Sequence, residues 1–253
     1  MIAGMRRNHL TIPGIIERKA DPTDARVGRK NGDKKIMQPE TVLVLATRNR
    51  GKTSEIRGLL CDSGFVIKNL DDFGPLPEVD EDGATFDENA YRKSSFYSRI
   101  LGFPAMADDS GLVVETLNGA PGVLSARYAG PTATDQERCR KLLAEMEGKA
   151  DRSAAFECVI SIALPNGVAL TYEGRCQGQI TTAPAGGQGF GYDPVFFYPP
   201  LGKTFAELDA VEKNRVSHRG RALAEVVAET DKIKTWINQN MPIFEKVVCK
   251  NDD

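Results

Sequence analysis

The stretch Ala105–Gly111, Ala-Met-Ala-Asp-Asp-Ser-Gly, constrains the fold of this chain more than any other. A short apolar run ends there in two carboxylates, a hydroxyl and a glycine, which is typical of a buried strand that carries acidic groups to the lip of a sheet. A buried charge needs a partner, and neighbouring strand residues point to opposite faces. We therefore expect one of Asp108 and Asp109 to face a pocket and the other to be hydrogen-bonded beneath it. The same residues also suit a surface turn, so both interpretations stay open.

The length and charge of the chain limit its class. A chain of 253 residues fits one large domain or two small ones. The net charge of -2 argues against a nucleic-acid partner, because general nucleic-acid binders usually carry a basic excess. The apolar runs fall far short of the ~20 residues of a membrane span, so we expect no membrane association.

The cysteines indicate the compartment. The chain has five cysteines without a Cys-x-x-Cys pair and only two histidines. This pattern favours a reducing compartment over a zinc site and predicts a cytoplasmic protein. Residues 1–38 are rich in Arg, Lys, Asp and Gly and lack sustained periodicity, which predicts a disordered N-terminal extension.

The first ordered segment is predicted to be a strand–turn–helix unit of a kind that binds phosphates. The continuous apolar run Thr41–Thr47 favours a strand buried on both faces, and residues 48–52 form a polar turn before an amphipathic helix. Strand, polar turn and helix N-terminus is an arrangement that binds phosphates. A P-loop would need a further glycine where Ala46 stands, so the chain is not a P-loop ATPase. The candidate phosphate contacts are Thr47, Asn49 and Lys52. The alternative is that this segment is a plain solvated turn.

An acidic loop and a helix follow. Residues 78–83 carry four carboxylates, which either hold a cation or are simply solvated. The sequence Thr85–Glu88 is a capping box that predicts a helix to about Leu101. Asn89 and Lys93 share a face of that helix, and Lys93 either reaches a phosphate or is a surface lysine.

The sequence of the second half of the chain predicts an antiparallel pair of strands attached to the parallel α/β unit of the first half. Leu112–Leu117 is strand-like, and residues 134–137 form a second capping box. Phe156–Leu164 and Val168–Tyr172 flank the hairpin signal Pro-Asn-Gly.

Two late segments carry further candidate ligand groups. The glycine-rich residues 186–194 either present Phe190 as a stacking ring or form a linker, although linkers rarely carry Phe-Gly-Tyr-Asp-Pro. Residues 212–221 open a last long helix predicted to run to about Asn238. His218 lies there among cationic donors at a helix start, where the dipole favours anions or carbonyl oxygens.

Together these segments resemble the inosine triphosphate pyrophosphatase family. The matching stretches, in the family's order, are residues 45–52, 81–90, 107–112, 119–130, 189–194 and 217–220. The extension 1–38 lies outside the match, and Arg48 and Arg50 stand where small residues or Pro are commoner in the family. The resemblance implies an α/β fold: an elongated, two-lobed structure around a long central mixed β-sheet, with flanking helices and a cleft between the lobes. Residues 39–248 would then form a single catalytic domain.

The resemblance also implies an activity and a site. The activity is Mg²⁺-dependent hydrolysis of ITP, dITP and XTP to the monophosphate and pyrophosphate by a homodimer. Asp109 matches the catalytic base, and Glu81 and Asp109 match the metal-associated carboxylates. The positions that match substrate contacts are Thr47, Asn49, Lys52, Lys93, Ser110, Phe190, Gly191, Tyr192, Asp193, Lys213, His218 and Arg219.

Two other functions are weighed against this one. A catalytically silent nucleotide sensor is disfavoured because both carboxylates and both lysines are retained. A pyrophosphatase for modified pyrimidine triphosphates is disfavoured by the match at residues 217–220. Protonated His218, Arg219 and Lys213 would all be donors, which suits six-oxo purines and leaves donors unpaired against adenine.

Overall fold

The computed structural model describes residues 41–242. The predicted disordered extension 1–38 and the end of the predicted domain, residues 243–248, lie outside the described residues. Within residues 41–242, no helix combines the length and the apolar composition that a membrane crossing needs.

Seven strands of the described part of the chain form one mixed sheet in the order β2-β1-β3-β4-β5-β6-β7. β1 is parallel to β2 and β3, and the neighbours from β3 onwards are antiparallel. This arrangement confirms the mixed α/β sheet and the hairpin, which joins β4 to β5. In chain order from β1 to β7, the strands are Thr41–Leu45, Phe65–Asn69, Ala105–Val114, Ser153–Ala163, Ala169–Ile180, Phe196–Tyr198 and Lys203–Thr204.

Six α-helices flank the sheet within the described residues. From α1 to α6 they are Arg50–Leu60, Phe86–Leu101, Asp135–Glu145, Ala210–Val216, His218–Ala228 and Thr230–Asn240. The prediction of one long final helix is wrong, because α4, α5 and α6 are separate. Ser217 adopts an extended backbone between α4 and α5, and its side chain caps α5 by accepting from the Gly220 amide. Short 3₁₀ helices occur in the connections, including Gly122–Arg127 and Asp193–Val195.

β3 corrects the prediction of a strand that ends at the acidic pair. It runs for ten residues to Val114, so the surface-turn interpretation of Asp108 and Asp109 is wrong. The prediction of a separate strand Leu112–Leu117 is also wrong, because its first three residues continue β3 and Glu115–Leu117 form a 3₁₀ helix. β1 pairs with β3 only at Ala105 and Met106. The two carboxylates therefore lie just beyond the end of β1, where β3 continues beside β4 alone.

Gly111 belongs to the strand for a steric reason. A Cβ atom there would lie 2.4 Å from the Gly122 carbonyl oxygen and 2.5 Å from Ser125 Oγ. A glycine within a strand often marks such a close approach of backbone, which distinguishes this residue from a turn glycine.

The core lies on both faces of β1, as its continuous apolar run predicts. Leu43 packs in a cluster with α1, α5 and α6, whereas Val44 packs in a second cluster with α2. On β3, Met106 belongs to the first cluster and Ala107 to the second. Because alternate strand residues share a face, Asp108 follows Met106 and Asp109 follows Ala107.

Candidate active site

A cleft with a volume of about 820 Å³ brings together every candidate residue that the sequence predicted. Its lining includes Thr47, Asn49, Lys52, Glu81, Lys93, Asp109, Ser110, Phe190, Gly191, Tyr192, Asp193, Lys213, His218 and Arg219. These residues come from the turn after β1, the acidic loop, α2, β3, the 189–193 segment, α4 and α5. The sequence separations are large, so only the fold makes them neighbours.

The turn after β1 is organised by Asn49. Asn49 is the N-cap of α1: its Oδ1 accepts from the Lys52 amide at 3.1 Å, and its own amide donates to Thr47 Oγ1 at 3.2 Å. Asn is among the strongest N-cap residues, which explains why the helix begins here. The Lys52 side chain lies 3.0 Å from the Asp108 carboxylate.

Asp109 is the carboxylate of β3 that lines the cleft. Its Oδ2 accepts from Asn89 Nδ2 at 3.1 Å, and its Oδ1 lies 3.5 Å from Lys93 Nζ. Burial raises the pKa of Asp109, although the charges of Lys93 and Lys52 oppose the shift. The predicted shared face of Asn89 and Lys93 is confirmed, because both contact one carboxyl group. The sequence did not identify Asn89 as a site residue.

Asp108 is held on the opposite face of β3. Its Oδ2 accepts from Arg219 Nε at 3.1 Å and from the Ser110 hydroxyl at 3.3 Å. Burial alone would raise the pKa of Asp108, but Lys52 and Arg219 outweigh burial and hold this pKa well below its usual range. This arrangement confirms the prediction that one carboxylate of the pair faces a pocket and the other is hydrogen-bonded beneath that pocket.

Lys93 joins the two carboxylates proposed to hold a metal. Its Nζ lies 2.8 Å from Glu81 Oε2 and 3.5 Å from Asp109 Oδ1. Burial works to lower the pKa of Lys93, but the carboxylates of Asp109, Asp108 and Glu81 outweigh burial and raise it. The space between Glu81 and Asp109 therefore already favours a positive charge.

The donor set fits Mg²⁺. Mg²⁺ takes hard oxygen ligands and usually binds through one or two carboxylates together with substrate phosphates. Glu81 and Asp109 provide such a sparse pair, and no group of three or more metal-ligating side chains forms a cage within residues 41–242. Arg127, which the sequence did not identify, donates from Nη2 to the Glu81 carbonyl at 2.9 Å and holds this loop.

The 189–193 segment presents Phe190 to the cleft. The Phe190 amide donates to Asp193 Oδ2 at 2.9 Å, and Lys213 Nζ lies 2.7 Å from the same oxygen. Lys213 Nζ is also 4.6 Å from the centre of the Phe190 ring. Burial raises the pKa of Asp193, with Lys213 acting in the opposite direction.

Lys213 and Arg219, the two cationic side chains predicted to bind the purine base, already pair with carboxylates. Glu55 on α1 accepts from Lys213 Nζ at 3.0 Å and also pairs with the Arg219 guanidinium. Arg219 Nη2 donates to Ser110 Oγ at 2.9 Å. Sequence analysis missed Glu55, whose partners lie 158 and 164 residues away and leave no local signal.

His218 differs from its prediction as a protonated donor. The ring is buried and stacks on Phe156, with ring centres 4.7 Å apart and planes inclined by 12°. Burial first, then the charges of Arg219 and Lys213, lower its pKa well below the ordinary value, so the imidazole is neutral. Its Nδ1 has no hydrogen-bond partner among the described residues.

The fold and the cleft define an α/β protein in which lysines, carboxylates and the Phe190 ring line one ligand-binding cleft. A family model described as the Ham1 family matches residues 43–229, and the chain belongs to this family. The similarity is extensive among relatives named dITP/XTP pyrophosphatase. The protein of Desulfotalea psychrophila is 58% identical over 200 residues, covering 79% of this chain and 90% of the relative. That of Syntrophobacter fumaroxidans is 57% identical over 197 residues, covering 78% and 85%.

Solved structures agree with this assignment. The Staphylococcus aureus Ham1 protein has a TM-score of 0.70 and 37% identity, with 76% of this chain and 100% of that chain covered. A HAM1 protein from Coxiella burnetii also has a TM-score of 0.70, with 43% identity and coverage of 76% and 99%. The family resemblance and the ITPase-like α/β fold predicted from the sequence are therefore confirmed.

Proposed function

We propose that this chain is a Mg²⁺-dependent pyrophosphatase for the non-standard purine nucleoside triphosphates ITP, dITP and XTP. The observation that carries the proposal is the position of Asp109, which faces the cleft beside Lys93 and Glu81 and near the turn after β1. The names of the relatives support the same activity. The products are the nucleoside monophosphate and pyrophosphate.

The reaction is attack of water on the α-phosphorus, with cleavage of the bond to the oxygen that bridges to the β-phosphorus. Asp109 accepts the proton of the attacking water, since it is the carboxylate of β3 that lines the cleft. Lys52 and Lys93 hold the phosphates and offset the negative charge that develops on the leaving pyrophosphate. A lysine ammonium has three donors, so Lys52 can bond both Asp108 and a phosphate.

Glu81 and Asp109 would hold Mg²⁺ together with the phosphates of the substrate. When bound, the ion would neutralise charge on the phosphate oxygens and lower the pKa of a coordinated water. Lys93 would then share these carboxylates with the ion and turn its remaining donors towards the phosphates.

Base choice rests on the donors that remain after the ion pairs are made. Arg219 has five N–H groups and bonds Asp108, Glu55 and Ser110. Lys213 has three and bonds Glu55 and Asp193, so each side chain can still donate at least one hydrogen bond. A six-oxo purine accepts such bonds, whereas the six-amino group of adenine would leave donors unpaired at about 1–3 kcal/mol each. Phe190 stacks on the base whatever its identity.

The proposal extends to the domain, the assembly and the compartment. Residues 39–248 form one catalytic domain with two lobes, and the protein is a homodimer in the cytoplasm. The free thiols of Cys61, Cys139, Cys158 and Cys176 suit a reducing compartment. Size-exclusion chromatography with light scattering tests the dimer, and a monomeric mass at micromolar concentration would contradict it.

The activity is tested with a substrate panel of ITP, dITP, XTP, GTP, ATP and a modified pyrimidine triphosphate. With Mg²⁺ present, we expect monophosphate and pyrophosphate in equal amounts from the first three, and little product once the metal is chelated. Binding of ITP without turnover would favour the nucleotide sensor. Preference for the pyrimidine would favour the other pyrophosphatase class.

A further inference from the structure

Two glycines flank Phe190 in its turn, and the Asp193 side chain of the same turn fixes the Phe190 amide but not Gly191. Gly189 and Gly191 flank the ring with φ values of +75° and +64°. Glycine enters this region readily, but it is also the residue with the most backbone freedom to lose. The position of the ring therefore depends on side chains that bind the backbone of the turn.

Helix α3 supplies those contacts at Gly191. The Asp135 Oδ2 atom accepts from the Gly191 amide at 2.7 Å, across 56 residues of sequence. One helical turn further on, Cys139 Sγ lies 3.3 Å from the Gly191 carbonyl oxygen. Both backbone groups of the residue after Phe190 are thus held by one helix.

The Asp135 carboxylate is itself fixed in place. Asp135 is the first residue of α3 and directly follows the N-cap Thr134, which forms a capping box with Glu137. Its other oxygen pairs with Arg138, and Arg138 Nη1 donates to the carbonyl groups of Ala126 at 2.9 Å and Ala133 at 2.5 Å. The carboxylate therefore joins a rigid helix start to the turn.

We infer that Asp135 is a positioning residue that holds the Phe190–Gly191 turn in its base-stacking position. This inference rests on the proposed function, in which Phe190 stacks on the purine. Asp135 acts on base binding and leaves the chemistry at Asp109 unchanged. The Asp135 side chain is 44% exposed, so its loss costs the fold little.

The test is Asp135→Ala, with kcat and KM for ITP and the Kd of inosine monophosphate and of pyrophosphate. A charge-assisted hydrogen bond to one amide is lost, so we expect KM and the Kd of inosine monophosphate to rise about tenfold. We expect kcat and the Kd of pyrophosphate, which has no base, to stay within about twofold. Asp135→Asn keeps an acceptor for the Gly191 amide and should recover most of the loss.

Glu137→Ala is the matched control. Glu137 accepts from the Thr134 amide at 2.7 Å and supports the same helix start, but its bonds do not involve Gly191. If Asp135 only stabilises α3, both variants will lower the melting temperature and change KM alike. That result would overturn the inference, whereas a rise in KM confined to Asp135→Ala supports it.

A double-mutant cycle with Phe190→Ala decides whether Asp135 acts through the ring. If it does, adding Asp135→Ala to Phe190→Ala changes the Kd of inosine monophosphate by less than about twofold, because coupled residues are not additive. A full tenfold effect in the Phe190→Ala background would mean direct contact with the ligand and would overturn the inference. A wild-type protein that binds inosine monophosphate without hydrolysing ITP would overturn the proposed function and leave the binding cycle valid.

Discussion

The carboxylates of Asp108 and Asp109 are adjacent in the chain but lie on opposite faces of β3. Lys52 and Arg219 outweigh the effect of burial at Asp108 and lower its pKa, whereas burial raises the pKa of Asp109. Neighbouring carboxyl groups with pKa values moved in opposite directions are typical of groups with different roles. Asp108 anchors two cations beneath the cleft, and Asp109 is the carboxylate that we propose as the general base.

Asp109→Asn should keep the fold and lose most turnover. The amide has the shape of the carboxylate but cannot accept a proton as readily, and general-base catalysis contributes roughly 10²–10⁴-fold. The measurement is kcat for ITP at saturating Mg²⁺, with circular dichroism to confirm the fold. Wild-type turnover in a well-folded Asp109→Asn protein would contradict the assignment.

Asp108→Asn is the adjacent control and should act mainly on stability. It removes the buried negative charge that faces Lys52 and Arg219, and breaking a buried pair costs about 3–5 kcal/mol. Chemical denaturation should therefore separate the two variants, with Asp109→Asn the more stable. Equal stabilities would show that the two carboxylates are not divided between anchor and reactant.

Arg127→Ala should raise the Mg²⁺ concentration needed for half-maximal rate. Arg127 bonds the backbone of Glu81 at 2.9 Å, and loss of such supporting contacts typically costs 10–100-fold in metal affinity. The check is a Mg²⁺ titration of ITP turnover, with recovery of kcat at high Mg²⁺. Arg92→Ala, which breaks an exposed pair with Asp82 in the same loop, is the control and should leave the titration unchanged.

Local patterns in the sequence were enough to predict the hairpin, the starts of α2 and α3 and the shared face of Asn89 and Lys93. Each of these depends on residues close together in the chain. Glu55 and Asp135 were missed, because the partners that tie them to the site are distant in sequence: Lys213 and Arg219 for Glu55, and Gly191 for Asp135. The length of β3 was underestimated since Gly111 serves a close approach to Gly122, which the sequence alone does not show.

Deleting residues 1–38 should leave kcat and the melting temperature nearly unchanged. The segment lacks periodicity, and the family model begins at residue 43. Differential scanning fluorimetry and ITP turnover check this expectation. A longer deletion that also removes Thr41–Leu45 is the control and should unfold the protein, because β1 joins β2 to β3 in the sheet. A large loss from the shorter deletion would show that the extension stabilises the domain or the dimer.

His218 should remain neutral between pH 6 and 8. The chain has two histidines, His9 and His218, so the truncated protein has a single imidazole to follow by NMR. Its pKa lies well below the ordinary value, because the ring is buried near two cations. The unfolded chain binds a proton that the folded chain does not. Stability should therefore fall as the pH drops below about 6.5, by at most about tenfold in the unfolding equilibrium per pH unit. An imidazole that titrates near pH 6.5 in the folded protein would contradict this.

Arg219→Lys should narrow the preference for ITP over ATP. The substitution keeps a positive charge for Asp108 but removes the planar set of donors that Arg219 divides among Asp108, Glu55 and Ser110. Arg219→Ala would strand the buried Asp108, so the lysine variant separates base choice from loss of fold. The measurement is kcat/KM for ITP, XTP, GTP and ATP.

Phe190→Ala is the comparison for base choice. A stacking ring contributes to the binding of every base, so its loss should lower kcat/KM for all four substrates by a similar factor. Against adenine, two unpaired donors at about 1–3 kcal/mol each would account for a preference of a hundredfold or more. Arg219→Lys removes part of that penalty for ATP and part of the hydrogen bonding to ITP. The kcat/KM values for ITP and ATP should therefore converge. If Arg219→Lys instead lowers every substrate by the same factor, as Phe190→Ala does, Arg219 supports the cleft without choosing the base.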